Sequence, residues 1–199
     1  MHTTTTTRTL AIAASLILGL TLASCSTNNS SSDAGSSASS SSAASAHNDQ
    51  DVMFAQMMLP HHEQAVEMSD VLLAKGDGVD PDVVTLAKQI KAEQGPEITQ
   101  LTSWLQGWGE STESEHPGSG HSMSGMMSDS DMTDLDQASA KDAGKLFLQQ
   151  MVQHHEGAVD MARSEVDKGK NTDAVAMAKS IVSSQTEQIT QMQDMLASK

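Results

Sequence analysis

The sequence predicts an all-α protein, a four-helix bundle built from two copies of one helical hairpin. Three observations lead there. First, an offset of 93 places Phe54, Met58, His61, His62, Glu63, Ala65, Val66 and Met68 on Phe147, Met151, His154, His155, Glu156, Ala158, Val159 and Met161. Second, an offset of 91 places Ala87, Lys88, Ile90, Gln94, Ile98 and Gln100 on Ala178, Lys179, Ile181, Gln185, Ile189 and Gln191, so the loop within the second copy is two residues shorter. Third, apolar residues in all four segments recur at helical spacing, and no alternating strand pattern appears.

Taken in order, the chain opens with a secretion signal. Arg8 is the only charged side chain before Cys25. The apolar run "LAIAASLILGLTLA" that follows, Leu10 to Ala23, is shorter than the roughly 20 residues a spanning helix needs and has the layout of a signal peptide. It ends in "LASC", which resembles the bacterial lipobox. Residues 1–24 are therefore expected to be removed and Cys25 to carry lipid. That places the protein on the extracytoplasmic face of the cell membrane. Cys25 is the sole cysteine, so no disulfide is expected and the core must hold the domain. Residues 25–46, dominated by Ser and Ala, lack apolar bulk and read as a flexible tether. The folded portion is expected over 47–199, with one repeat near 51–109 and the other near 140–199.

Formal charge is −15, and loss of Arg8 with the signal makes it −16. Such a surface excludes nucleic acid as a partner, which needs a basic face. The 14 Met and 8 His, against 2 Phe and no Tyr, are the unusual counts.

In the first helix Phe54, Met58, His61, His62, Ala65, Ser69 and Leu72 share a face, with Glu63 and Glu67 opposite. Asp80 is placed to cap the second helix, with Pro81 at its first position. Ala87, Ile90, Gln94, Glu97, Ile98, Leu101 and Leu105 form its inner face, matched in the last helix by Ala178, Ile181, Gln185, Gln188, Ile189, Met192 and Leu196. Pro60 is expected to disturb the first helix, and Gly95-Pro96 to kink or split the second. Two hairpins with one apolar face each bury those faces best against one another.

All four paired histidines then point inward. A histidine on an apolar face is most often a satisfied core residue. Four in symmetry-related pairs are harder to account for, because each unpartnered imidazole costs about 1–3 kcal/mol. Gln94, Glu97, Gln185 and Gln188 on the facing helices are candidate hydrogen-bond partners or supports behind metal ligands. Met58 lies three before His61 and four before His62, and Met151 repeats the arrangement with His154 and His155. Met68 and Met161 sit two turns along. Imidazole with thioether is a copper-like donor set, while methionine also fills cores well; both readings stand. Di-iron bundles need Glu-x-x-His, and no Glu stands three before any of these histidines. Zinc gains nothing from Met. Iron and zinc are thus disfavoured against copper.

The linker near 110–135 contains "HPGSGHSMSGMMSDSDM". Its Gly/Ser content predicts disorder. Its His116, His121, Met123, Met126, Met127 and Met132 resemble the flexible copper-loading segments of bacterial copper-handling proteins and form a candidate auxiliary metal site.

The pattern Met-x-x-His-His-x-x-Ala-x-x-Met, followed by Ala-Lys-x-Ile-x-x-x-Gln-x-x-x-Ile, resembles a bacterial family known as domain of unknown function 305, DUF305. The resemblance covers Asp51 to Trp108 and Gly144 to Leu196. It implies a ferritin-like helical fold, secretion or lipid anchoring, and copper binding or resistance. Carried over by residue, it points to Met58, His61, His62, Met68, Gln94 and Glu97, and to Met151, His154, His155, Met161 and Gln185; Gln188 stands where the first copy has Glu97.

The expected function is a lipid-anchored, extracytoplasmic copper-binding protein that buffers the metal or passes it on, without turnover. Its expected partners are copper ions, the membrane through its lipid, and a second copy or a copper-handling protein. The rivals are a structural or interaction module with a buried His/Gln network, and a ferritin-like metal oxidase.

Overall fold

A computed structural model describes residues 46–112 and 124–198. All of them belong to one compact unit, Ser41–Lys199; the other unit, Met1–Ser40, lies outside the described residues. So do the signal, Cys25 and most of the tether.

Five helices and no strand make up the described part. They are α1 (Asp49–Ala74), α2 (Pro81–Trp108), α3 (Asp129–Gln137), α4 (Ala140–Lys168) and α5 (Thr172–Ala197). The four long helices are those the repeat predicts, α1–α2 as one hairpin and α4–α5 as the other. The two hairpins pack mainly through α1 and α4. No described helix is long and apolar enough to cross a membrane.

Each long helix starts where local chemistry directs it. Asn48 caps α1 by accepting from the amides of Gln50 and Asp51, and the Asp51 carboxylate accepts the Asn48 amide at 2.6 Å, a complete capping box. Asp80 and Pro81 open α2 as expected, and Gly109, at φ 79°, ends it. Ser139 caps α4 and Asn171 caps α5.

Pro60 and Pro96 lie inside continuous helices of 26 and 28 residues, so of the two outcomes expected at Gly95-Pro96, a kink or a split, the split does not occur. Each proline removes only one amide donor, and tertiary packing over these lengths outweighs that loss. The linker is also not disordered to residue 135. Residues 113–123 lie outside the description, but Ser128 and Asp131 form a second capping box, α3 follows, and Leu135 is fully buried. Gln150 ties α4 to this segment by donating to the Asp131 carbonyl at 2.8 Å.

The interior divides into two apolar clusters. One contains Met68, Leu72, Leu86 and Ile90 from the first hairpin with Phe147, Leu148 and Met151 from the second. The other contains Phe54, Met58, Leu101 and Leu105 with Ala158, Ala178 and Ile181. The offsets of the repeat exchange the clusters: Phe54, Met58 and Ile181 in one correspond to Phe147, Met151 and Ile90 in the other. The fold is therefore a pseudo-twofold bundle with α1 and α4 antiparallel.

Beside the second cluster sits a buried acid pair. Asp51 accepts from the amides of Lys170 at 2.9 Å and Asn171 at 2.8 Å, fastening the entry of α1 to the α4–α5 loop. Burial, reinforced by Asp51, pushes Glu165 up to about 8, so it is protonated at neutral pH. For Asp51 burial acts in the raising direction, but the neighbouring Glu165 carboxyl and hydrogen bonds from the Asn171, Asn48 and Lys170 amides outweigh it and keep the group below the ordinary carboxylate range.

Candidate metal centre

Between the two clusters lies a polar layer. His61 and His62 from α1 and His154 and His155 from α4 are all fully buried, as the helical face predicts. His61 and His154 are equivalent under the repeat and meet at the pseudo-twofold axis, their ring centroids 3.7 Å apart with the planes at 39°. The ring of His155 is 6.3 Å from that of His154.

Each of three histidines has one ring nitrogen held by an acceptor. His62 Nε2 is 2.8 Å from the Glu97 carboxylate. His155 Nε2 is 2.8 Å from Gln188 Oε1. His61 Nε2 is 3.3 Å from the Ser124 carbonyl. The Gln188 amide is itself oriented, because its Nε2 donates to the Glu93 carboxylate at 2.8 Å and so turns Oε1 toward His155. All three partners accept, so each Nε2 carries a proton, and in a neutral ring Nδ1 then carries the lone pair.

Those Nδ1 atoms have no hydrogen-bond partner, nor has either nitrogen of His154, nor the Oε1 atoms of Gln94 and Gln185. Of the ten buried side-chain polar atoms without a partner among the described residues, seven belong to this layer. Each costs about 1–3 kcal/mol when left unpaired.

Burial keeps the rings of His61, His154 and His155 neutral. It lowers His61 to about 3, helped by the neighbouring His62. It lowers His155 to about 4, against a raising contribution from the Gln188 hydrogen bond. His154 is driven well down by burial and then by His61.

The other sequence-predicted residues distribute as follows. Met58 and Met151 are buried one turn from their histidines but in opposite clusters, one on each side of the layer. Met68 shares the cluster of Met151, and Met161 packs half-buried against that of Met58. Gln94, Gln185 and Gln188 are buried in the layer, and Glu97 is partly exposed at its edge. In the linker, Met127 is buried and Met132 packs on the first cluster, so both serve the core; Met126 is half-buried, and His116, His121 and Met123 lie outside the described residues. Among the described residues no three His, Cys, Asp or Glu side chains already converge as a metal cluster.

Sequence reasoning missed Glu93 and Ser124. Glu93 lies one turn before Glu97 on α2, and that spacing was the available signal. Through Gln188, which stands at the position equivalent to Glu97, it places a carboxylate behind the second hairpin's His155.

Comparison with known proteins gives the same fold. None of the curated proteins compared by sequence matches the chain. Among solved structures, a DUF305 protein of Streptomyces coelicolor is 34% identical, covers 75% of this chain and 93% of its own, and superposes with a TM-score of 0.70. A DUF305 fragment of Deinococcus radiodurans is 29% identical over 76% of this chain and 98% of its own, with a TM-score of 0.66. CopM in its Cu(I)-bound form is 28% identical over 74% and 96%, with a TM-score of 0.59. Residues 51–196 match the family described as a domain of unknown function, DUF305, and the chain belongs to that family.

Proposed function

We propose that the protein binds copper ions in its histidine layer and acts as an extracytoplasmic copper buffer or carrier, anchored through lipid on Cys25. The single observation behind this reading is the set of unpartnered Nδ1 atoms, each on a ring whose Nε2–H is fixed by a carboxylate, an amide oxygen or a backbone carbonyl. Metal-binding histidines are held from behind by such partners. CopM, crystallised with Cu(I), with Cu(II) and with silver at 28%, 28% and 26% identity, supports it.

The donor set fits copper. Neutral imidazole is the binding form, and burial enforces it at His61, His154 and His155. His61, His62, His154 and His155 would hold the ion, with the Met58 and Met151 thioethers one turn away on either side. Because no cluster is ready-made, the rings must turn to converge. Copper supplies a soft cation that satisfies nitrogen lone pairs the protein leaves open; the chain's residues orient those lone pairs, exclude water and keep protons off them. No catalytic step is part of the reading.

A metal-free polar network is the second reading, favoured by the His62–Glu97 and His155–Gln188 bonds. It leaves the Nδ1 atoms unexplained. A copper titration decides, using wild type, the four-His-to-Ala variant, a deletion of His116 to Met132, and the two combined. Tight binding should vanish with the four histidines and survive the deletion. Tight binding that follows the linker alone would establish the network reading.

A further inference from the structure

The chain between the hairpins returns to the histidine layer at Ser124–Met127. We propose that this segment is a strap gating the His61–His154 pair, seated by Gln64 and Gly157, and that copper reaches the pair when the strap lifts. The proposal rests on the copper reading above.

Three contacts carry it. The Ser124 carbonyl bonds the His61 ring. Gln64 grips the strap's other end twice: its Nε2 donates to the Met127 carbonyl at 2.9 Å, and its Oε1 accepts the Met127 amide at 2.8 Å. Between these points the strap lies backbone-to-backbone on α4. A Cβ on Gly157 would collide with the Ser124 carbonyl and come within 2.8 Å of Gly125 Cα. A Cβ on Gly125 would sit 2.7 Å from the Gln153 carbonyl and 2.9 Å from that of His154, and Gly125 has φ 84°.

Gln64 and Gly157 are the same position of the repeat, three residues past His61 and His154 respectively. One copy uses the site to hold the strap and the other to make room for it. The strap thus crosses α1 and α4, the two helices that contribute the axial pair. Its Ser124–Met126 stretch is attached by one ring bond and a glycine contact, while Met127, held twice by Gln64, is also buried in the first cluster. The rest of that cluster and all of the second hold the helices beneath, so the stretch over His61 and His154 can part from them while the bundle stays folded. Lifting it also frees the Nε2–H of His61.

The test uses Gln64→Ala, which removes both grips, and Gly157→Ala, which wedges the strap from the other side. Two readouts are taken on each. In the metal-free protein, carbethoxylation of individual histidines is followed by mass spectrometry, with His47 as internal control. For copper, association and release of Cu(I) are timed against a Cu(I)-specific chelator. Both variants should label His61 and His154 about tenfold faster than wild type, the factor that ~1.4 kcal/mol supplies. Cu(I) association and release should both accelerate by about the same factor, leaving the Kd within about threefold. Unchanged labelling overturns the strap as a cover. Faster labelling with unchanged copper rates overturns it as the route. Failure of the copper reading appears separately, as wild-type protein whose copper signal does not depend on the four histidines, and removes the route along with that reading. Circular dichroism identifies a variant that has lost its fold, in which case the other variant decides.

Discussion

His61 and His154 are the same residue of two repeats, and their rings lie 3.7 Å apart centroid to centroid with no charge between them. Burial drives both far below the ordinary histidine range. Protonating either ring would set a cation against its neighbour inside the core. The contact therefore requires neutral rings or a metal ion that takes the place of the proton.

The acid limb of stability follows from that requirement. In the metal-free folded state His61 titrates near 3 and His155 near 4, against about 6.5 when unfolded. Below 6.5 the unfolded chain binds protons that the folded chain does not, so stability falls as pH drops from 6.5 toward 4. Denaturant melts should show this slope, and changing all four core histidines to Ala should flatten it.

The alkaline limb comes from Glu165, whose sign is opposite. Its folded pKa, about 8, lies above the unfolded value of 4.5. Its contribution is fully present below 4.5 and is lost as pH rises through 8. Glu165→Gln keeps a neutral group there at every pH. Thermal melts should find that variant more stable than wild type above pH 8, with the difference shrinking toward pH 4.

Removing the support behind a ring should weaken copper without unfolding the bundle. Glu97→Ala is expected to lower copper affinity about 10- to 100-fold, read by chelator competition. Glu97→Gln, which keeps an acceptor for the His62 Nε2–H, should restore most of the loss. Glu93→Ala should act more weakly, since it releases only the amide that holds His155.

Leu135 tests whether α3 belongs to the fold. It is fully buried against the first cluster. Leu135→Ala should cost about 2–5 kcal/mol by chemical denaturation. A change within ~0.5 kcal/mol, the usual range for surface substitutions, would show that α3 does not dock.

Cys25 lies outside the described residues and carries the anchoring proposal. Cys25→Ser should leave the protein soluble or unprocessed in fractionated cells. Detergent-dependent membrane partitioning of that variant would end the lipid reading.

Much of this was legible in the sequence because it is written in helical spacing. The two offsets gave both hairpins, Asp80-Pro81 gave the start of α2, and the stripe through Phe54, Met58 and Leu72 gave the buried face with His61 and His62 on it, its repeat in α4 carrying His154 and His155. Whether Gly95-Pro96 splits α2 could not be read, because a local rule takes no account of the packing along the rest of the helix. α3 was hidden by composition: Gly and Ser around it masked the Ser128–Asp131 cap and the single buried anchor Leu135. The opposite placement of Met58 and Met151 could not be read either. Spacing shows which residues share a helix face, but only antiparallel packing of α1 on α4 puts the two sulfurs on different sides. The spacing of Glu93 one turn before Glu97 marks it as a residue near the layer, but that it reaches Gln188 across the hairpins is reported by no periodicity within one helix.

The axial histidine pair has a further consequence. A single hairpin that dimerised with its own copy through an isologous interface would bring one histidine against itself at the same place. In such a homodimer every substitution appears twice. A fused chain can alter one half alone, and it has done so around this contact: Glu97 answers to Gln188, and Gln64 to Gly157. An environment that a homodimer must keep symmetric is thereby given two unlike faces, one whose histidine ring bonds the Ser124 carbonyl, the other whose histidine ring has no such bond.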